Sequence, residues 1–454
     1  MVEIKSHDSI ERFLNDLKEF DISENPFYSV AFLSVYLKYN NKGKYCFFYV
    51  YCHGTLKGIA PYECTFDSKL LHVKKLRFLG YRDLNYCGYI CKDCDYAEVH
   101  RLMMEYFASL PYRVLLNYYD INDGSPLYNI VYKDGRCYSK NKLYVCPCLK
   151  FAENFDDFFK EVFKSSKKRA ELKKFQKRLG EIGDFHIVNV KDKEGLNRNR
   201  HLMEQIFKVH SERFADVYAT SFFGSESMRP YYSELIESLM ADEKAYISLL
   251  VMDEIVIAFI FCLTNGKVLI DWIPAFDPAF SKYNLGTVQY KMLFEEMCKP
   301  ESPYEVFDYS KGSSVYKRKW AKEETANYQF LLKSRKGGLI ASLIGWMDKI
   351  KFSFKCWLRD HGILHKIKEL MGSVLQLFAK KEKVVVAQVR YVESVAEESQ
   401  STYNFVYSQI RYLSVPVREE VLSALYTGAK VVRIENEEQE KVISIMNAVN
   451  NKKI

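Results

Sequence analysis

No apolar run in this 454-residue chain approaches the ~20 residues needed to cross a bilayer. The N-terminal stretch MVEIKSHDSIERFLNDL is acidic and amphipathic and lacks the apolar core of a signal peptide. These two absences lead us to expect a cytoplasmic protein. There is no repeat of solenoid period and no low-complexity linker, so the chain should fold as globular domains. Its length calls for two or more of them, each large enough for its own core. Nor is there a Ser-His-Asp or Cys-His signature of the kind that supports covalent catalysis.

What is present begins with an ordinary globular balance, 48% hydrophobic and 27% charged residues, which sets disordered and membrane-spanning classes aside. Nine of the twelve cysteines lie in the first 150 residues, and in a cytoplasmic protein they should be thiols. Cys87, Cys91, Cys94 and His100 form C-x3-C-x2-C-x5-H, a spacing compatible with zinc or with incidental thiols. We expect no metal.

Periodicity predicts helices over 8–20, 32–39 and 95–110 and strands in LRFLG and RVLLNYYDI. CFFYVYCHGTLKGIAPYEC reads as a hairpin turning at His53-Gly54. A long helix should begin at Phe151 and close at Gly180 and Gly183. From Lys164 to Arg178 it has eight Lys/Arg against one Glu, either a solvated face or a patch for an anion. FHIVNV is a strand. Helices over 200–214 and YYSELIESLMAD then lead into a three-strand meander ending in VLIDWI. The two prolines of PAFDPAF should stop that last strand.

After that loop, a helix is expected near Gly286 with Asn284 as its N-cap, then a strand in YEVFDYS. A strand feeding a helix through a short turn presents backbone N–H groups and the positive end of a helix dipole, where phosphate binds. An ordinary tight turn has the same sequence.

PAFDPAFSKYNLG followed by FDYSKGSSVYKRKW resembles the CelD-like acetyltransferases of the GNAT superfamily, which are related to FemAB-type transferases. Upstream, NPFYSVAFLSVYL, KGIAPYE, LRFLGYRDLNYCGY and SPLYNI follow the family's N-terminal half in order, so the resemblance covers about residues 20 to 335. It implies an α/β fold of two tandem GNAT-like domains with mixed central sheets, over 1–150 and 151–335. Beyond the resemblance the sequence reads as a basic amphipathic helical segment (336–383) and a small α/β appendage (384–454) that ends in a helix.

The resemblance also implies acyl transfer from acetyl-CoA, or another acyl-CoA, to an amine or hydroxyl of a small-molecule or lipid-linked sugar, an envelope-polysaccharide precursor. Asn284, Leu285, Gly286, Thr287 and Val288 would hold the cofactor. Tyr316 would protonate the departing thiolate, Lys317 would stabilise an oxyanion or hold an acceptor phosphate, and Asp308 would orient Lys317 or the acceptor. Trp320 should pack this segment in place. His210, Glu212 and Arg213 lie where the acceptor is expected, with His210 a minor base candidate. All of these residues also admit a purely structural role. Two other functions compete. One is a FemAB-type aminoacyl-tRNA-dependent transferase, the only reading that involves nucleic acid. The other is a non-catalytic membrane-surface scaffold with a degenerate GNAT fold.

Residues 333–383 hold twelve Lys/Arg and four Asp/Glu, a net +8. Within 338–360 an apolar stripe from Leu339 to Leu358, with Trp346 and Trp357, is flanked by lysines. That is the pattern of an interfacial helix, or of one that docks its stripe on the protein. We therefore expect peripheral association with the inner face of the membrane as one possible role.

Overall fold

The computed structural model describes residues 2–20, 25–80, 84–215, 222–312, 314–335, 338–360, 388–391, 410–411, 413–427, 431–436 and 439–446. In chain order its strands are Val2–His7 (β1), Tyr45–Cys52 (β2), Thr55–Ser68 (β3), Val73–Phe78 (β4), Ile90–Cys91 (β5), Arg113–Asn122 (β6), Cys137–Lys150 (β7) and Phe185–Val190 (β8). Then come Ala245–Met252 (β9), Ile255–Asn265 (β10), Val268–Phe276 (β11), Val306–Asp308 (β12), Glu323–Lys333 (β13), Gln388–Tyr391 (β14), Val431–Asn436 (β15) and Gln439–Met446 (β16). The chain divides into two compact units. The first is Met1–Leu149 with Thr264–Ile270 and Phe307–Ile367; the second is Lys150–Leu263 with Asp271–Val306 and Lys368–Ile454.

In the first unit the strand order is β1-β2-β3-β4-β6-β13-β7, with β5 on β3. β4 and β6 run parallel, whereas β2/β3 and β6/β13 are antiparallel, so the sheet is mixed, as expected. The hairpin turns where the sequence places it. His53 and Gly54 both have positive φ (50° and 80°), the geometry of a type I′ turn. Helix Tyr96–Ser109 buries Val99, Leu102, Met103 and Phe107 against Phe48, Tyr62, Phe78 and Tyr118. Within this core the Tyr62 and Tyr118 hydroxyls are 2.8 Å apart, Tyr89 and Tyr118 2.7 Å, and Tyr89 Oη lies 3.0 Å from His100 Nδ1. His100 Nε2 reaches Asp134 at 2.9 Å. Both nitrogens of His100 are therefore engaged by protein groups. Cys87 and Cys91 are buried and Cys94 is exposed, and among the described residues no three His, Cys, Asp or Glu group in a metal-holding geometry.

The second unit contains the antiparallel meander β11-β10-β9-β8. Every residue of β9 and nearly every residue of β10 is buried, so both faces are covered. Helix Leu285–Met297 lies across it, with Gln289 donating to the Ser248 carbonyl at 3.0 Å. Helices Ser166–Gly180 and Val415–Thr427 close a second core in which Leu179, Phe280, Tyr283, Val288, Val421 and Leu422 meet. β14, β15 and β16 form a separate three-stranded sheet.

The structure departs from the sequence reading at four points. The long helix from Phe151 is two, Phe155–Val162 and Ser166–Gly180. Phe163 leaves helical geometry (φ −111°, ψ 80°) and Ser165 caps the second through its hydroxyl. β11 runs on through Pro274 to Phe276. Residues 272–274 are only half-buried there, an open stretch where a missing N–H is tolerated. Val2–His7, read as part of an amphipathic N-terminus, pairs with β2 as a strand. The last helix expected in the tail is β16. Of the basic arm, Leu339–Asp360 is a helix, and 361–383 lies outside the described residues.

Burial disfavours an ionised Asp134, but hydrogen bonds from His100 and Arg136 outweigh it and hold its carboxyl well below the usual range. Asp134→Ala should leave the buried His100 without its acceptor and lower stability by about 3 kcal/mol in urea titration. A loss well under 1 kcal/mol would mean that this pair does not hold the core.

Candidate functional site

In the second unit, the turn after β11 is built by short-range polar contacts. Asp277 accepts from Ala279 N at 2.9 Å and starts a 3₁₀ turn over Pro278–Tyr283. Asn284 then adopts the left-handed conformation (φ 49°), which Asn tolerates better than most residues. Its side chain accepts from Thr287 Oγ1 at 2.8 Å, and its carbonyl accepts from the N–H groups of Thr287 and Val288. The N–H groups of Leu285 and Gly286 head the helix, where no intrahelical carbonyl is available to them. Leu285, Thr287 and Val288 turn their side chains inward, while Asn284 and Gly286 remain half-exposed. The predicted cofactor residues thus form one turn whose backbone, rather than its side chains, is on offer. A Cβ at Gly286 would stand 3.5 Å from the Phe276 ring, an ordinary contact, so glycine is not required there for packing.

Two features border this turn. The Arg213 guanidinium sits 4.5 Å from the centroid of the Phe276 ring. Helix Ser166–Gly180 packs Leu179 and Phe175 against the same core, and its Lys167, Lys168, Lys173, Lys174 and Lys177 are exposed. The basic run is therefore a solvated face beside the turn.

His210, Glu212 and Arg213 share helix Gln205–Phe214 but point to different surroundings. His210 is held among the rings of Phe214, Phe223 and Phe259. Glu212 reaches a cavity of about 240 Å³ lined by Gln205, Lys208, Asp277, Arg411 and Arg418. There Arg418, buried, bonds Glu212 at 2.6 Å and Asp277 at 3.2 Å. Neither Arg418 nor Asp277 stands out in the sequence, since their partners lie 206 and 141 residues from Arg418.

In the first unit the structure gathers a second set of groups. Asp308 is half-buried. Its Oδ2 accepts from the Tyr86 hydroxyl at 2.5 Å and its Oδ1 from Ser310 N at 2.7 Å. Burial pushes its carboxyl above the ordinary range, against the pull of those bonds and of Lys317. Asp120, fully buried on β6, accepts from Tyr144 and Asn327 and lies 3.0 Å from Lys311 Nζ. Lys317 Nζ donates to the carbonyls of Tyr309 (2.6 Å) and Lys311 (2.8 Å), so it ties the 308–317 loop closed. Tyr316 is half-buried and edge-on to Tyr309 at 6.4 Å, and Trp320 is buried. The structure therefore brings Asp308 and Lys317 into one cluster, with Lys317 oriented by carbonyls.

Tyr86, Asp120, Tyr144, Lys311 and Asn327 escaped the sequence reading. Their signal is geometric. Tyr86, Asp120 and Ser310 all have positive φ (57°, 67° and 54°), and strained non-glycine backbone concentrates at functional sites. A carboxyl raised by burial beside tyrosines and a lysine is the kind of perturbed group that clusters at functional sites.

Burial also pushes the His210 imidazole down to about 4. Below pH 6.5 the unfolded chain binds a proton that the folded state refuses, so stability attached to neutral His210 is lost as pH falls from 6.5 to 4. His210→Phe should lose about 2 kcal/mol less than the wild type between pH 7 and 4.5. Equal losses in urea unfolding at the two pH values would remove His210 from the acid-sensitive set.

Residues 166–318 match the family model of the acetyltransferase (GNAT) domain. No curated protein matches the chain. Among solved structures, it is similar to the C-terminal domain (DUF2156) of a protein described as a lysylphosphatidylglycerol synthetase from Agrobacterium fabrum, at 12% identity and TM-score 0.46, over 75% of this chain and 97% of that one. FemX aligns at 11% identity and TM-score 0.45, over 72% and 96%. A tandem GNAT protein from the clavulanic acid biosynthesis pathway aligns at 8% identity and TM-score 0.38, over 74% and 100%.

Proposed function

We propose that the chain is an acyltransferase that passes an acyl group, acetyl in the first instance, from acyl-CoA to an amine or hydroxyl of a sugar or envelope-polysaccharide precursor. The observation that carries this reading is the β11–turn–helix arrangement inside the matched GNAT segment, with the leading N–H groups of Leu285 and Gly286 free of intrahelical bonds. These N–H groups would cradle the pyrophosphate, and Arg213 and the lysines of Ser166–Gly180 would add positive potential.

The transfer is direct. The acceptor nitrogen or oxygen attacks the thioester carbonyl carbon, the C–S bond breaks, the acceptor loses a proton and the CoA thiolate gains one. In this reading Asp308, fixed by the Tyr86 hydroxyl and the Ser310 N–H, orients the acceptor and receives its proton. Tyr316 is the proton donor to the thiolate in this reading, and Lys317 keeps the loop that carries both in one shape.

The exposed lysine row beside the turn also favours a second reading, transfer from aminoacyl-tRNA. That reading requires tRNA binding that falls steeply with salt.

Incubating the full chain with acetyl-CoA and candidate sugar acceptors, then weighing the acceptors by intact mass spectrometry, should reveal a gain of one acetyl group. Gly286→Glu should abolish CoA binding in calorimetry, because Phe276 leaves room for the Cβ and the added carboxylate opposes the phosphates. Lys317→Met and Tyr316→Phe should keep CoA affinity and lower turnover about 10²-fold or more. The proposal fails if the wild type does not bind CoA or if Gly286→Glu binds it equally well.

A further inference from the structure

Helix Leu339–Asp360 has two unlike faces. Toward the body of the first unit it sends Ser342, Ile344, Gly345 and Asp348. Lys333 Nζ donates to Ser342 Oγ at 3.1 Å, and Ile344 packs on Val73 and Leu115. The Asp348 carboxylate holds Lys75 Nζ at 2.7 Å. At Gly345 a Cβ would stand 2.9 Å from the Tyr138 hydroxyl, so the absence of a side chain there lets the helix come close. The opposite face carries Leu343, Trp346, Met347, Ile350, Phe354 and Trp357, each between 45% and 59% exposed. At 3.6 residues per turn these six fall within an arc of about 100°, the width of a stripe that normally faces a core. Here none of the six is buried. The contacts to the body of the first unit come from Ser342, Ile344, Gly345 and Asp348 instead.

We propose that this face seats the protein on the surface of an anionic lipid bilayer, with the helix lying in the plane of the interface. The charges around the stripe select that occupant. Lys349 and Lys351 are exposed and border the stripe on its two sides. Asp348, the acid among the described side chains of the helix, points into the body and is neutralised by Lys75. The surrounding sequence, 333–383, is net +8. Two of the four tryptophans of the chain stand on the stripe, and tryptophan favours the headgroup level. No helix among the described residues is long and apolar enough to cross a membrane, and a helix of this amphipathic kind lies in the interface rather than through it. A second copy of the chain is a poorer occupant. Pairing two stripes would bring their lysine borders together without carboxylates to meet them, whereas an anionic surface meets both borders at once. This inference does not depend on the acyltransfer reading.

The full chain tests it by co-sedimentation with vesicles of phosphatidylcholine alone and of phosphatidylcholine with about one-third phosphatidylglycerol at low salt. Binding should be at least about tenfold stronger to the anionic vesicles and should shift tryptophan emission to the blue. Trp346→Ser with Ile350→Ser, and separately Lys349→Glu with Lys351→Glu, should each lower partitioning about tenfold or more. All four side chains are exposed, and unchanged circular dichroism and melting confirm that the variants are folded. The proposal is overturned if the full chain binds neither vesicle, if it binds both equally, or if both double variants partition like the wild type. It is also overturned if sedimentation equilibrium finds a wild-type dimer that the Trp346/Ile350 variant converts to monomer while vesicles bind neither form. In that case the stripe is a self-interface.

Discussion

A carboxylate with no solvent exposure cannot stand alone, and Asp120 is such a group. Its oxygens are met by Tyr144 from β7, Asn327 from β13 and Lys311 from the segment beyond β12. Three distant parts of the sequence must therefore arrive together before β6 can bury this residue in its left-handed conformation. Asn327 is bonded in turn by Asn122 at 2.7 Å, which itself donates to Thr325 at 3.0 Å. Slipping β13 by one residue would turn Asn327 to the opposite face of the sheet and leave Asp120 uncompensated. The polar cluster thus fixes register where apolar packing alone would tolerate a shift. It also fixes the Asp308–Lys317 loop, since Gly312 N donates to the Val145 carbonyl on β7 and Lys311 reaches Asp120 from the same turn.

The same constraint shows what was legible in the sequence. Local patterns read well. The His53-Gly54 hairpin, the β9–β11 meander and the helix behind Asn284 are each encoded within a dozen residues, by alternation, turn chemistry or capping. Groups that meet across the fold did not read. Asp120 joins Asn327 across 207 positions, and nothing near Asp120 distinguishes it from any acid ending a strand. Asp308 was legible because a family motif surrounds it, and its partner Tyr86, 222 residues earlier, was not. Where local propensity and tertiary pairing compete, pairing won. β1 forms because β2 offers an edge, and β16 because β15 does.

Amphipathicity has its own limit as a signal. The stripe from Leu343 to Trp357 identifies a face but not what it faces. Direction is decided by the side chains between the apolar ones. Gly345 permits close approach, Asp348 finds a lysine, and Ile344 finds a small apolar patch. Those contacts hold the polar side of the helix to the body and leave the larger residues outside. The result runs opposite to ordinary globular packing, in which the widest apolar face is the one buried.

Arg418 plays for the second unit the part that Asp120 plays for the first. It comes from a helix late in the chain, is 2% exposed, and meets both Glu212 and Asp277. Asp277 also caps the 3₁₀ turn that leads into Asn284. A guanidinium held by two carboxylates resists removal of either partner more than a surface pair does, because the remaining charges would be left buried. The Tyr283 hydroxyl donates to the Leu422 carbonyl at 3.1 Å, and the Ser281 hydroxyl donates to Glu419 at 2.7 Å, so three successive contacts fasten the Val415–Thr427 helix to the turn. The conformation that exposes the N–H groups of Leu285 and Gly286 therefore depends on a segment outside the matched GNAT residues. In this chain the candidate phosphate turn and the Val415–Thr427 helix share these three contacts, so removing the helix would take away side-chain and backbone partners of Asp277, Ser281 and Tyr283.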